Sequence, residues 1–359
     1  MATSHETILF VNLKALEHNY NYLKSKLNSD TEIIAVVKAF AYGHGDVVVA
    51  KKLEELGVSA FWVADFEEGV TLKKSGINRP IIIANAGAKS CSDIIEYDLQ
   101  PVIYNFRLLE LYGEKNSPIS IHIKFNSGMN RYGFNLEEVE TLAKKLKKYS
   151  HLKVESMCTH LSSSGNSKQD EFTCFQFQKF ESIASKFYVK TGIKVAQHIL
   201  NTTGVLRFPE HQKEMVRLGI GLYGIGDDKN LKAVAKLQSN IAQIRSINKG
   251  EKAGYDTTFI ANEDMKIGIV PLGYADGINR KLGNDNGHVL VDEKPAKILG
   301  KISMDSMLID LRKIEAKEGD IVTIFDAKNN VSEIAKNLDT IPYEILATLN
   351  RRIKRVYSD

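Results

Sequence analysis

Over the first two thirds of this 359-residue chain, eight short, nearly continuous apolar runs alternate with segments of helical period. The runs are Ile33–Val37, Ala60–Ala64, Ile81–Ala84, Val102–Tyr104, Ile119–Phe125, Val154–Thr159, Val195–Leu200 and Met215–Ile220. Strands apolar on both faces belong to parallel sheets covered by helices. The intervening segments supply those helices. Leu13, Leu16, Tyr20, Leu23 and Leu27 step by three and four behind Asn12 as N-cap, Val48 to Leu56 stops at Gly57, and Glu137 to Tyr149 keeps its lysines on a solvated face. Eight such units predict an α/β fold built on a TIM-like (β/α)8 barrel. No GxGxxG follows an early strand, which argues against an open dinucleotide-binding sheet.

After about Lys229 the helical period fades. Runs at Leu237–Ile247, Ile267–Pro271, His288–Val291, Ala296–Ile302, Met307–Leu311 and Ile321–Phe325, separated by turn residues, predict a mainly β domain. A helix near Val331–Leu338 and a basic last strand close it. The expected division is a barrel over 1–228 and a mainly β domain over 229–359, with a first strand at about 7–11 able to pair with the second domain.

Composition then narrows the function. A 43% hydrophobic, 26% charged chain can bury a sizeable core, and a net charge of +4 is too slight to imply a nucleic-acid or membrane partner. No apolar run approaches the ~20 residues that span a bilayer, and the first residues lack a signal-peptide layout. Cys91, Cys158 and Cys174 form neither a metal spacing nor an even disulfide set. The expectation is a cytoplasmic protein with no metal site.

The chemistry gathers where strands end. One ends in a lysine within Ala35-Val36-Val37-Lys38-Ala39-Phe40-Ala41-Tyr42-Gly43-His44-Gly45. In a barrel of this kind the C-terminal strand ends form the catalytic face, and lysine makes Schiff bases with carbonyl compounds. Lys124 closes the fifth run and Arg131 follows it. His160 closes the sixth, Asn201-Thr202-Thr203-Gly204 follows the seventh, and Arg217-Leu218-Gly219-Ile220-Gly221 forms the eighth. Singly, each has a plain structural reading: a lysine facing solvent, a satisfied interior histidine, a helix cap at Thr202, turn glycines. Together they set a Schiff-base lysine, two arginines, a histidine and an anion-binding Thr/Gly set around one mouth. A phosphorylated carbonyl cofactor fits that set.

In order along the chain, these segments resemble the alanine racemase family of fold-type III pyridoxal-phosphate enzymes. Val36 to Gly45 resembles the cofactor-lysine motif, Lys124 to Arg131 the Lys-x-Asp-x-Gly-Met-x-Arg segment, and Thr159-His160 the barrel histidine. Arg217 to Gly224 resembles the pyridine-facing arginine run, and Gly254-Tyr255-Asp256-Thr257-Thr258 the catalytic tyrosine segment. Pro271 to Gly277 and Gly300 to Asp305 complete the series.

The resemblance implies an isomerase, an amino-acid racemase interconverting L- and D-alanine with pyridoxal 5'-phosphate, the D-enantiomer serving bacterial wall synthesis, with a catabolic role equally compatible. Lys38 and Tyr255 would act as the two bases on opposite faces of the α-carbon. Arg217 would donate to the pyridine nitrogen and His160 would tune the tyrosine. Arg131 would meet the substrate carboxylate, and Lys124 matches a lysine often carbamylated. Tyr42, Thr202, Gly219 and Ile220 carry over as phosphate contacts. Tyr255, Tyr274, Met304 and Asp305 would reach the other subunit's barrel, making a homodimer with composite sites. Four departures stand out: Asn126 for an aspartate, Ser303 for a cysteine, Asp256 where a glycine or alanine follows the tyrosine, and Arg351 where many members carry a tyrosine beside the phosphate and substrate. Arg351 would pair with the phosphate or swing to solvent and widen the pocket, so broader racemisation of serine or lysine stays open. So do a pyridoxal-phosphate amino-acid decarboxylase and a non-catalytic cofactor carrier.

Overall fold

The barrel strands are three to seven residues long and bury nearly all their aliphatic side chains, so none is suited to a solvated sheet edge. The computed structural model describes residues 4–115 and 117–359. After β1 (Ile8–Asn12) come β2 (Glu32–Val36), β3 (Ala60–Val63), β4 (Ile81–Ile83), β5 (Gln100–Ile103), β6 (Ile119–Lys124), β7 (Leu152–Cys158), β8 (Ala196–Asn201) and β9 (Met215–Leu218). Strands β2 to β9 pair in parallel and close into a barrel, with β9 returning to β2 through Glu32↔Met215 and Ala35↔Leu218. The expected (β/α)8 architecture is borne out, each of the eight apolar runs supplying one strand.

Helices form where the sequence provides starts and amphipathic faces. Asn12 accepts the Ala15 N–H at 2.8 Å ahead of helix Leu13–Lys24. Asp65 accepts from Glu67 and Glu68 ahead of helix Phe66–Lys74. Helix Val139–Lys148 buries Val139, Leu142, Ala143 and Leu146 and leaves most of its lysines outside.

The chain divides into two compact units. One contains Glu17–Ala41 and Asp46–Leu222; the other joins Met1–Leu16, Tyr42–Gly45 and Tyr223–Asp359. In the second unit the strands are β10 (Ala235–Asn240), β11 (Gln243–Ile247), β12 (Lys252–Ala253), β13 (Phe259–Ile260), β14 (Met265–Val270), β15 (His288–Val291), β16 (Lys294–Leu299), β17 (Met307–Asp310), β18 (Ile321–Phe325) and β19 (Lys354–Ser358). Among the described residues, nine strands form one sheet in the order β11-β14-β17-β16-β15-β18-β10-β1-β19, and β12 pairs with β13. Strand β1 lies between β10, antiparallel, and β19, parallel.

Two details correct the sequence reading. The single run expected over Leu237–Ile247 is two strands. Ile241 donates to the Asp320 carbonyl and Ala242 to that of Ile269, so the chain changes neighbours from β18 to β14 between them. Helix Pro342–Ala347 also forms where only the approach to a last strand was expected.

Candidate active site

Alternate residues of a strand face opposite ways, and β5 to β9 bring Gln100, His122, Ser156, His198 and Arg217 together in one polar cluster. Arg217 on β9 is 5% exposed and uses both terminal nitrogens. Nη1 donates to His198 Nδ1 at 2.5 Å and to the His198 carbonyl at 2.9 Å. Nη2 donates to the carbonyls of Thr159 at 2.7 Å and Ile199 at 3.1 Å, and meets His160 Nδ1 at 3.3 Å. All these acceptors are neutral. No bond from Nε–H reaches a described residue, so the buried guanidinium keeps one donor for an acceptor arriving from outside the chain.

Because arginine can only donate, the bonds beyond it have one direction. His198 Nδ1 must accept, so its Nε2–H donates to Ser156 Oγ at 2.9 Å. Ser156 then donates to His122 Nδ1 at 2.6 Å, and His122 Nε2–H to Gln100 Oε1 at 2.9 Å. Both rings are held neutral. Burial pushes His122 down to about 4, and burial together with Arg217 pushes His198 well below its usual range. The rings of Trp62 and His198 stand nearly perpendicular, with centroids 5.7 Å apart. Register shifts beside His122 and at His198–Asn201 re-aim side chains next to this cluster.

Around the mouth stand Lys38, Lys124, Arg131 and His160. Burial lowers the Lys38 pKa, Arg131 and Arg217 lower it further, and Glu68 opposes them. Lys124 is lowered chiefly by burial and then by Arg217, Arg131 and Lys38, with Cys158 opposing. His160 is held well below its ordinary value by burial and then by the same cations. Arg131 rises from a loop that Asn126 organises. Asn126 Oδ1 accepts from Gly128 and Asn130, while its Nδ2 donates to Asn130 and Asn135. An aspartate could not make the last two bonds, which accounts for the amide at this departure. Gly133, at φ +115°, lets the loop fold back: a Cβ there would sit 2.5 Å from the Phe125 carbonyl carbon. Thr202 is not the helix cap. Asn201 caps helix Thr202–Arg207, freeing the buried Thr202 hydroxyl to accept from the Gly219 N–H at 3.1 Å. Gly219 and Ile220 are buried beside it in the barrel unit.

The lysine is followed by a rare backbone. Ala39, Phe40, Ala41 and Tyr42 all have φ between 52° and 55°. A left-handed L-residue costs roughly 1–2 kcal/mol, so this turn is imposed by its surroundings.

The other unit holds the remaining predicted residues. Tyr42 is buried, with ring centroids 4.9 Å from Tyr223 and 5.8 Å from Tyr343. Arg355 fixes the glycine-rich segment by donating to the Gly43 carbonyl at 3.0 Å, while Tyr357 donates to that of His44. Tyr255, Tyr274 and Met304 are 63%, 43% and 52% exposed. Tyr255 precedes a left-handed pair, Asp256 and Thr257, with Asp256 tied to Lys301 at 2.5 Å. Tyr274 N–H donates to the Ser303 carbonyl, and Arg352 joins Asp276 to Asp305, each at 2.6 Å. Arg351 is exposed. Sequence reasoning missed Glu68, His122, Ser156, His198 and Tyr343. The signal for three of them was a polar residue at an inward position of an otherwise apolar run.

A family model described as "Alanine racemase, N-terminal domain" matches residues 11–227, and one described as "Alanine racemase, C-terminal domain" matches residues 234–357. An alanine racemase of Helicobacter pylori (strain P12) is 33% identical over 370 aligned residues, covering 97% of this chain and 97% of its own. The solved alanine racemase of Clostridium difficile 630 matches with a TM-score of 0.92 at 30% identity, over 99% of this chain and 97% of that one. The alanine racemase of Bartonella henselae with covalently bound pyridoxal phosphate gives 0.89 at 27% identity, over 99% and 100%. With a barrel mouth of this composition and relatives alike over nearly their whole length, the chain belongs to the alanine racemase family.

Proposed function

We propose that this protein is an alanine racemase that uses pyridoxal 5'-phosphate and works as a cytoplasmic homodimer. The observation that carries the reading is the barrel mouth. Lys38, Lys124, Arg131 and Arg217 converge there with Glu68 set against them, and Arg217 keeps an unfilled donor. A phosphorylated, carbonyl-bearing ring suits such a mouth: the cations favour its charge, and Arg217 Nε–H suits a ring nitrogen. The lowered pKa of Lys38 favours the neutral amine that attack on a carbonyl needs. Tyr42, Thr202, Gly219 and Ile220 would hold the phosphate.

The bound cofactor supplies the electron sink that makes an amino acid's α-C–H acidic. The chain's own residues do the rest. Lys38 Nζ takes or returns a proton on one face of the α-carbon, and Tyr255 Oη does so on the other. Arg131 orients the substrate carboxylate. His160 positions and tunes the tyrosine. Arg217, whose acceptors are all neutral, donates a hydrogen bond without surrendering a proton, which favours proton return over other fates and supports racemisation over decarboxylation. The exposed side chains of Tyr255, Tyr274 and Met304, with Asp305, would enter the mouth of a second copy.

Lys124 is proposed to carry a carbamate: its neutral amine would form an N–C bond to carbon dioxide and release one N–H proton to water, and the resulting negative charge would pair with Arg131. Holoenzyme kept in 13C-bicarbonate should show one carbamate carbon resonance that disappears in Lys124→Met; a spectrum without that signal would remove the modification.

The decisive assay is chiral chromatography after supplying pyridoxal phosphate and L-alanine, with L-serine, L-lysine and L-glutamate in parallel. D-alanine should form far faster than the others. D-serine or D-lysine forming as fast would make Arg351 the first residue to mutate, and a bound cofactor without any D-product would overturn the reading.

A further inference from the structure

The left-handed turn that follows Lys38 is unfavourable for residues with side chains, so something must hold it. In the barrel unit two bonds grip its start. Ala41 N–H donates to the Val37 carbonyl at 2.9 Å. Ala39 N–H, on the residue next to the lysine, donates to Glu68 Oε1 at 2.6 Å. The second oxygen of the same carboxylate, Oε2, accepts the Ala64 N–H at 2.7 Å, one residue past the end of β3. One side chain of helix Phe66–Lys74 thus ties the first left-handed residue to the end of the adjacent strand. Both bonds are short, and a carboxylate is the stronger acceptor for such amides when charged.

We propose that Glu68 is a positioning residue for Lys38: it fixes the backbone from which the lysine rises and sets a negative charge against that lysine in a mouth otherwise ringed by cations. This rests on reading Lys38 as the reactive amine. Glu68 faces Lys38 from the helix after β3, Arg131 from the loop after β6 and Arg217 from β9. Lys124 on β6 and His160 after β7 also feel the lysine's charge. Of these groups Glu68 alone favours the protonated amine. Burial raises the Glu68 carboxyl pKa, and the amides of Ala64 and Ala39 draw it back down.

A purely structural clamp and an electrostatic one differ in what the lysine does. Competitive acetylation of the full-length chain freed of cofactor, with the Lys38 peptide followed by mass spectrometry across pH, reads the amine's own titration without relying on racemisation. Glu68→Gln, which keeps one acceptor but no charge, should lower the Lys38 midpoint by about one pH unit, a tenfold change in proton affinity. Glu68→Ala should give the same shift and also cut racemisation by the holoenzyme about a hundredfold, through loss of alignment. Glu67→Gln, on the exposed side of the same helix turn, serves as the control and should leave the midpoint where it is. If Glu68→Ala fails to fold, Glu68→Gln carries the test. An unmoved Lys38 midpoint in a folded Glu68→Gln protein would overturn the proposal, whether or not the chain racemises alanine. A normal midpoint shift without racemase activity would instead leave Glu68's role standing and remove the function proposed above.

Discussion

Arg217 shows how much one obligate donor decides. Its five N–H groups cannot accept, so the tautomers of His198 and His122 follow from it through Ser156, and neither ring can take a second proton without confronting a donor. Stability therefore depends on pH. The folded-state pKa of His122, about 4, lies below its ordinary 6.5. The unfolded chain binds the proton first, so this stability is complete above about pH 6.5 and is lost as pH falls toward 4. The loss should reach roughly 3 kcal/mol. Urea unfolding at pH 7 and pH 5 should show the drop, and His122→Gln should flatten it; equal slopes in both proteins would refute the assignment. The residues closing strands were legible in sequence because their types and positions pointed to one mouth. His122, Ser156 and His198 were not, since a single polar residue inside an apolar run reads as tolerated until the strands are curled and those residues face one another. Glu68 reads as an ordinary acid in a helix's first turn, and its bond to Ala39, 29 residues earlier, exists only in three dimensions.

At the scale of elements, the eight barrel strands were legible because a parallel strand buried on both sides must be apolar over nearly its whole length. The break at Ile241-Ala242 was not, because neither glycine nor proline marks it. There the chain bends to meet new partners, a fact about neighbours rather than about local preference. The loop from Asn126 to Phe134 shows an element whose shape serves a side chain. Phe134 N–H donates to the Lys124 carbonyl and Asn126 N–H to that of Phe134, closing the loop at its base and presenting Arg131 from its tip. Gly133→Ala would place a Cβ against backbone that cannot yield and would strain a φ of +115°. The variant should stay folded while kcat/KM for alanine falls about a hundredfold, mostly through KM if Arg131 binds the carboxylate. Steady-state kinetics would show this, and an unchanged KM would deny Arg131 that task.

At the scale of the whole molecule, Tyr255, Tyr274 and Met304 are exposed, as the proposed homodimer requires of them. If each site joins the barrel of one copy to the tyrosine of another, Lys38→Ala and Tyr255→Phe should each be inactive alone. Reassorted in equal amounts, they should recover about a quarter of wild-type activity, because half the dimers then carry one intact site. No recovery after verified exchange would mean that each chain serves itself. Strand β1 adds a constraint of another kind, one of timing. Its partners are β10, more than 220 residues later, and β19, which ends at Ser358. At about 5–20 residues per second of synthesis, β1 waits on the order of ten to forty seconds for its first partner. The barrel strands can meet during that interval, whereas β19 is the last of the sheet's strands to be made. Strand β1 is thus made early and folded in late, and a nascent chain stalled before β10 would carry an apolar strand with no native neighbour.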